Sequence, residues 1–239
     1  DPLDDIHLLS VLARIPSDRQ TAQRERIAQT LIGLDAKIQA RGMQQDRNWD
    51  TRIFEIYQRL TEQDPLLPAA VVRQKEFGAP GHALFARRLQ GTILQRAAKT
   101  FAKRIRDDDD YGWNPDVVFV LARSDNPLHR RLVRQQFKDY ALQNAVLLAL
   151  AENPDPVDMN KYLQGLKSGD FEVLRSSIHA LQELPTSQNP AAQFALLGAL
   201  RRLGSDEREQ PLRNAVVRLL RRNMQKDFEF QFDAPYFDP

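Results

Sequence analysis

The sequence predicts an all-α chain, an α-α superhelix of the HEAT or armadillo kind built from about twelve or thirteen helices. Three observations carry that reading. Apolar residues recur at steps of three and four in almost every segment. No segment sustains strict apolar–polar alternation, and no Asn-Gly or Asp-Gly hairpin signal occurs. A pair of helical segments around Gln164 and Leu174 returns in similar form around Gly198 and Leu212.

The segments follow in order. Ile27, Leu31, Leu34 and Ile38 form one stripe of a 3.6-residue helix. Ser17 and Gln20 have capping-box spacing ahead of it, and Gly42 stands where a C-terminal cap belongs. Trp49, Ile53, Ile56, Tyr57 and Leu60 repeat the pattern, as do Leu94, Ala97, Phe101 and Ile105. Further along come Met159, Leu163 and Leu166; Leu174, Ile178 and Leu181; Leu196, Leu200 and Leu203; and Leu212, Val216 and Leu219. Ala79-Pro80, Asn114-Pro115, Asn126-Pro127 and Asn189-Pro190 each place Pro in a first helical turn, and the three Asn residues serve as N-caps. The apolar run 117–122 has the composition of a buried strand, but Asn114-Pro115-Asp116 is a helix start and no partner strand exists, so it reads as helix.

Leu174-Arg175, Ile178 and Leu181 align one for one with Leu212-Arg213, Val216 and Leu219. The segment from Gln164 to Asp170 resembles the one from Gly198 to Asp206. The interval is close to that of HEAT and armadillo units. A single two-helix unit of this length cannot bury its apolar face alone, so neighbours stack and share a core. The competing arrangement is an irregular bundle containing two similar helix pairs. The expected organisation is one helical-repeat domain over 1–226, less regular in 1–110, followed by an acidic, aromatic tail or linker over 227–239. In that tail Phe228, Phe230, Phe232, Tyr236 and Phe237 lie close together, and four acids stand without a base.

Composition narrows the chemistry. Hydrophobic residues at 42% and charged residues at 28% are ordinary for a globular protein. With no cysteine, the chain itself holds no disulfide, thiolate zinc site or covalent haem attachment. No stretch has the apolar length to span a bilayer. The opening Asp1-Pro2-Leu3 has no initiating Met, basic n-region or apolar h-region, and reads as a processed terminus or a segment of a longer protein. His7, His82, His129 and His179 lie in separate segments without metal-ligand spacing, so surface or capping roles are expected. The acidic run 107–110 with Gly112 mimics a calcium loop, but Tyr111 falls at position five and Val118 at twelve, so it is expected to be a solvated loop. Gly78-Ala79-Pro80-Gly81 lacks the Lys-Ser/Thr of a phosphate loop, and no Gly-x-Ser-x-Gly elbow occurs. No catalytic, cofactor-binding or metal-binding residue is assigned.

Charge is the feature with functional content. Lys and Arg number 34 against 32 acids, yet residues 87–106 carry seven bases and no acid, and residues 201–226 carry eight against three acids. These stretches define a candidate partner surface of Arg96, Lys99, Lys103, Arg104, Arg106, Arg213, Arg221 and Arg222. Arginine favours bidentate contact with carboxylate or phosphate. The plain alternative is that these side chains solvate the outer faces of amphipathic helices.

The opening Asp1-Pro2-Leu3-Asp4-Asp5-Ile6-His7 through Arg14 resembles a segment of large multidomain bacterial proteins. So do Leu34-Asp35-Ala36-Lys37-Ile38, Asp46-Arg47-Asn48-Trp49 and His82 through Arg87. Proteins of that kind join a sorbosone-dehydrogenase-like β-propeller, a helical-repeat region and often a c-type cytochrome domain. The resemblance implies a periplasmic or otherwise exported, non-enzymatic scaffold or interdomain spacer, without cofactor, whose partners are proteins or neighbouring domains of the parent chain. The family's haem motif needs two Cys and a His, which places any redox chemistry outside these residues. The alternative is a nucleic-acid-binding HEAT-like protein of the alkylated-base DNA glycosylase type, on the proximity of Trp113 and Asp116. The modest net charge of +2 and the absence of Trp beyond 113 weigh against it.

Overall fold

The computed structural model describes residues 1–14, 17–41, 48–185, 190–204 and 206–224, the side chains of 17–20, 39 and 48 excepted. Among them every regular element is helical: twelve α-helices and three short 3-10 segments, with no strand. The capping box at Ser17 and Gln20, the caps at Gly42 and Asn189, and the tail 227–239 lie outside what is described. Contacts group the chain into two compact units, Asp1–Val133 and Arg134–Pro239, where the sequence reading draws one domain over 1–226.

The first unit contains α1 (Pro2–Leu12), α2 (Ser17–Ala40), α3 (Asn48–Gln63), α4 (Leu67–Arg73), a 3-10 segment (Pro80–Ala86), α5 (Gly91–Asp107), α6 (Pro115–Ala122) and most of α7 (Pro127–Gln135). Helix α2 is its hub and packs against α1, α3, α4 and the 3-10 segment. Its stripe of Ile27, Leu31, Leu34 and Ile38 is buried, as are Ile53, Ile56, Tyr57 and Leu60 of α3. Arg24 of α2 fastens the turn after α3, donating from Nε (2.6 Å) and Nη2 (2.9 Å) to the carboxylate of Asp64, which is buried. The run 117–122 is helical: Asn114 caps α6 by accepting from Val117 N (2.9 Å), and Val117, Val118, Val120, Leu121 and Ala122 are all buried. A short helix with five of its eight residues buried has too narrow a polar face to show the 3.6 period in its sequence. Ala79-Pro80 opens a 3-10 segment, not an α-helix.

The second unit contains the remainder of α7, a 3-10 turn (Gln136–Lys138), α8 (Gln143–Ala151), a second 3-10 turn (Pro156–Asp158), α9 (Met159–Gly165), α10 (Phe171–Glu183), α11 (Pro190–Arg202) and α12 (Gln210–Met224). Helix α9 packs on α10 and α11 on α12; across the pairs, α9 meets α11 and α10 meets α12. Of the positions that align between α10 and α12, Ile178 and Val216, and Leu181 and Leu219, are buried, whereas Arg175 is exposed and Arg213 is buried. Asp158, fully enclosed, is neutralised by Arg134 Nε (3.0 and 2.9 Å) and by Lys161 Nζ (2.9 Å). Arg134 also reaches Asp155 (2.8 Å).

Helix C-terminal carbonyls are met by side chains from elements later in the chain. Arg222 of α12 donates to Leu181 O and Gln182 O at the end of α10 (both 2.7 Å). Arg202 of α11 donates to Lys167 O (3.0 Å) just after α9, and Tyr162 donates to Leu150 O (3.0 Å) at the end of α8. In the first unit Gln63 serves Ala13 O, and Arg123 serves Arg87 O (2.7 Å) and Leu89 O (3.2 Å).

Close approach of α9 to α10 depends on Gly165. A Cβ there would lie 2.1 Å from Ser177 Oγ, and Ser177 is fully buried. Gly165→Ala is therefore expected to destabilise the second unit by about 1–3 kcal/mol through overpacking. Gly198→Ala, in the interior of α11 with nothing within 4 Å of the new Cβ, is expected to stabilise by about 0.5–1 kcal/mol through helix propensity. Guanidinium titration followed by circular dichroism at the helical band measures both.

Candidate functional site: the cationic face of helix α5

Helix α5 is a 17-residue amphipathic helix. Leu94, Ala97, Ala98, Phe101 and Ala102 are buried against the rest of the first unit, and Ile105 is half-buried. On its outer side Arg96, Lys99, Lys103 and Arg106 are all exposed. At about 100° per residue they fall within about 80° of arc, and at 1.5 Å per residue they extend over about 15 Å. Among the described residues none of these four side chains has a hydrogen-bond or ion-pair partner. Several other bases of this unit are paired or stacked, whereas Arg14, Arg26, Arg59, Lys75 and Arg131, each in a different segment, are exposed and have no such partner among the described residues. Lys37 meets Asp5, Arg41 meets Asp1, Arg73 meets Glu25, Arg87 meets Asp116, and Arg88 lies over Phe54.

The remaining candidate residues go elsewhere. Arg104 turns away from the stripe: its Cγ and Nε lie 3.1 and 3.3 Å from the position a Cβ would take on Gly78. Gly78 has φ +122°, a conformation that favours glycine, and the open space over it is filled by this guanidinium arm. Arg213 is buried and donates to Gly204 O (2.8 Å), closing the loop between α11 and α12. Arg222 caps α10 as described, and Arg221 is half-buried with contacts of its own. Arg213 and Arg222 thus serve backbone carbonyls, which sequence spacing does not reveal, whereas Arg104 is exposed beside Gly78 and donates to no carbonyl among the described residues.

The segment between α4 and α5 is tied down by three side chains. Tyr111 donates to Gly78 O (3.1 Å), Asn114 Nδ2 donates to Pro80 O (2.9 Å), and His82 links the segment to α2. His82 Nδ1 accepts from Gly78 N (3.2 Å) and Ala79 N (3.3 Å), so Nε2 carries the proton and donates to Ile32 O (3.1 Å). Burial holds the Tyr111 hydroxyl above its ordinary pKa. His129, at the start of α7, is fixed in the other tautomer. Ser124 Oγ donates to Gln95 Oε1 (3.0 Å) and so accepts from His129 Nδ1 (2.8 Å), while Asn126 Nδ2 approaches His129 Nε2 at 3.4 Å. Of the surface or capping roles expected, His7 and His179 are at the surface and His82 caps the 3-10 segment through Ala79 N; the correction is that His82 and His129 are buried and close polar networks.

The acidic run 107–110 is exposed and folds as a turn at the end of α5, with Asp110 N donating to Asp108 Oδ1 (3.1 Å). Asp116, one of the pair that suggested a glycosylase, lies in the first turn of α6 and accepts from Arg87 Nε (2.5 Å). Trp113 is half-buried. A groove of about 340 Å³ between α8 and α10 is lined by Glu152, Arg175, Ser176 and His179. Its imidazole is turned to Glu183 (3.3 Å), and no hydrogen bond joins it to Ser176. No helix among the described residues is long and apolar enough to cross a membrane. Compared with models of protein families, with curated proteins and with solved structures, the chain matches none.

Both buried imidazoles titrate below the ordinary value. Burial is the main cause in each, assisted by Arg104 near His82, where Asp35 opposes it, and by Arg106 near His129. The folded protein therefore holds them neutral where the unfolded chain, with histidine near about 6.5, takes up protons. In that window the unfolded state binds more protons, so stability is full above about pH 6.5 and falls as the pH drops below it. Thermal unfolding midpoints are expected to decline between about pH 7.5 and pH 5.5. A His82→Gln/His129→Gln variant, less stable at neutral pH, is expected to show a flatter pH dependence.

Proposed function

We propose that the chain is a non-enzymatic helical-repeat module, a scaffold or interdomain spacer within a larger bacterial redox-type protein, with its helix pairs stacked as a superhelix. The observation that carries the reading is the order of packing in the second unit. The pairs α9–α10 and α11–α12 meet like to like, α9 with α11 and α10 with α12. Arg202 and Arg222 join each helix to carbonyls of the corresponding helix one repeat back. Such an array presents side chains on its outer surfaces that vary without disturbing the core. The resemblance of the segments around Asp1, Leu34 and His82 to multidomain redox proteins supports the setting, and export to the periplasm follows from that setting. The functional content then lies in presentation and spacing, with neighbouring domains or other proteins as partners.

A repeat array and a closed bundle respond differently to loss of a terminal pair, because in an array each repeat touches only its neighbours. A chain ending after Pro185, which lacks α11 and α12, is expected to keep a cooperative helical unfolding transition at a lower midpoint. A truncated chain without any cooperative transition would show that the second unit is a closed bundle and would overturn the repeat reading.

A further inference from the structure

We propose that the outer face of α5 is a docking surface for an acidic amphipathic helix of a partner protein or neighbouring domain. The inference rests on the interaction-module reading above and names the partner for one face of it. Four observations lead there. The first is that Arg96, Lys99, Lys103 and Arg106 are exposed and unpartnered among the described residues and lie together on one helix. Arg24, Lys37, Arg41, Arg73 and Arg87 of the same unit are each matched to a carboxylate, and the unpartnered bases outside α5, Arg14, Arg26, Arg59, Lys75 and Arg131, lie singly in different segments. On α5 the unpaired cations are thus gathered into one row.

Second, the axial intervals between the four cations are about 4.5, 6 and 4.5 Å, the rises of three, four and three helical residues. A helix carrying carboxylates at i, i+3, i+7 and i+10 reproduces them in register. An extended strand places same-face residues about 6.6–7 Å apart and drifts out of step within three contacts. Third, the anchoring side of α5 is fully occupied by its core contacts, so a partner has only the cationic side to meet.

The fourth observation decides between an acidic protein and a nucleic acid. The stripe is followed at once by the four exposed carboxylates of 107–110, which begin directly after Arg106. A phosphate backbone is negative along its whole length, and extending past the end of α5 it meets that acidic turn. A protein helix changes sign where required: carboxylates over the stripe, lysines over the turn. The face therefore favours a partner of patterned charge.

The probe is a synthetic helical peptide of about five turns with Glu at i, i+3, i+7 and i+10 and two Lys beyond one end, titrated by fluorescence anisotropy with the whole chain. Binding is expected at low salt and should weaken about ten-fold or more as Debye screening shortens from about 10 Å at 0.1 M to about 3 Å at 1 M. The Arg96→Gln/Lys99→Gln/Lys103→Gln/Arg106→Gln variant should lose about ten-fold or more in affinity with an unchanged circular dichroism spectrum. As a second variant, Glu at the same four positions should bind the peptide in which Lys replaces Glu. No binding of the designed peptide at low salt, equal binding of a peptide with the same residues scattered around the helix, or tighter binding of a short DNA duplex would each overturn the proposal. None of these outcomes touches the truncation at Pro185, so the docking proposal and the repeat reading fail separately.

Discussion

Each α-helix ends with as many as four backbone carbonyls that have no partner inside the helix, and a chain cut into many short helices multiplies that deficit. Burying such an end without a donor costs about 1–3 kcal/mol per group. In this protein backbone N–H groups of the following turn meet many of these carbonyls, and at five ends a side chain that arrives from a later element adds a donor. Arg222 serves the end of α10, Arg202 the turn after α9, Tyr162 the end of α8, Arg123 the turn after the 3-10 segment, and Gln63 the end of α1. Since each donor is correct for only one placement of its helix, satisfying the carbonyl also sets where the next helix lies.

That constraint explains how arginine is used. A charged donor to a partly buried carbonyl contributes about 1.5–3 kcal/mol, whereas an exposed ion pair contributes about 0.2–1 kcal/mol. Arginine has the length and the forked donors to reach two carbonyls of a neighbouring element at once, as Arg222 and Arg123 both do. The bases of the second stretch, 201–226, are consumed in this way at Arg202, Arg213 and Arg222. On α5 the corresponding side chains point outward and meet no carbonyl, so the two stretches, alike in composition, differ in role.

Three buried polar groups sit at the joints between elements. Asp64 receives Arg24 at the turn between α3 and α4, Asp158 receives Arg134 and Lys161 ahead of α9, and His82 bridges α2 to the segment before α5. Each is enclosed and each is paired, the condition under which a buried polar group is tolerated. Removing one partner leaves the other stranded, so these joints resist displacement more strongly than apolar contacts of the same size.

Helical character throughout, the N-caps at Asn114 and Asn126, and the inward stripes of α2, α3, α5, α10 and α12 were legible from the sequence alone. Each depends on residues within a turn or two of one another, where the 3.6-residue period and capping chemistry act. The helical state of 117–122 was legible only through its cap, because burial of nearly all its residues erases amphipathic periodicity. Tertiary structure alone decided that His82 and His129 are buried and neutral, and that Gly165 admits Ser177. It also decided that Arg213 and Arg222 meet backbone carbonyls while Arg96, Lys99, Lys103 and Arg106 face solvent. An arginine that caps a helix far away in the chain and one that meets water have the same local sequence. The carbonyl that distinguishes them belongs to the backbone, and only the packing of one helix against another brings it within reach.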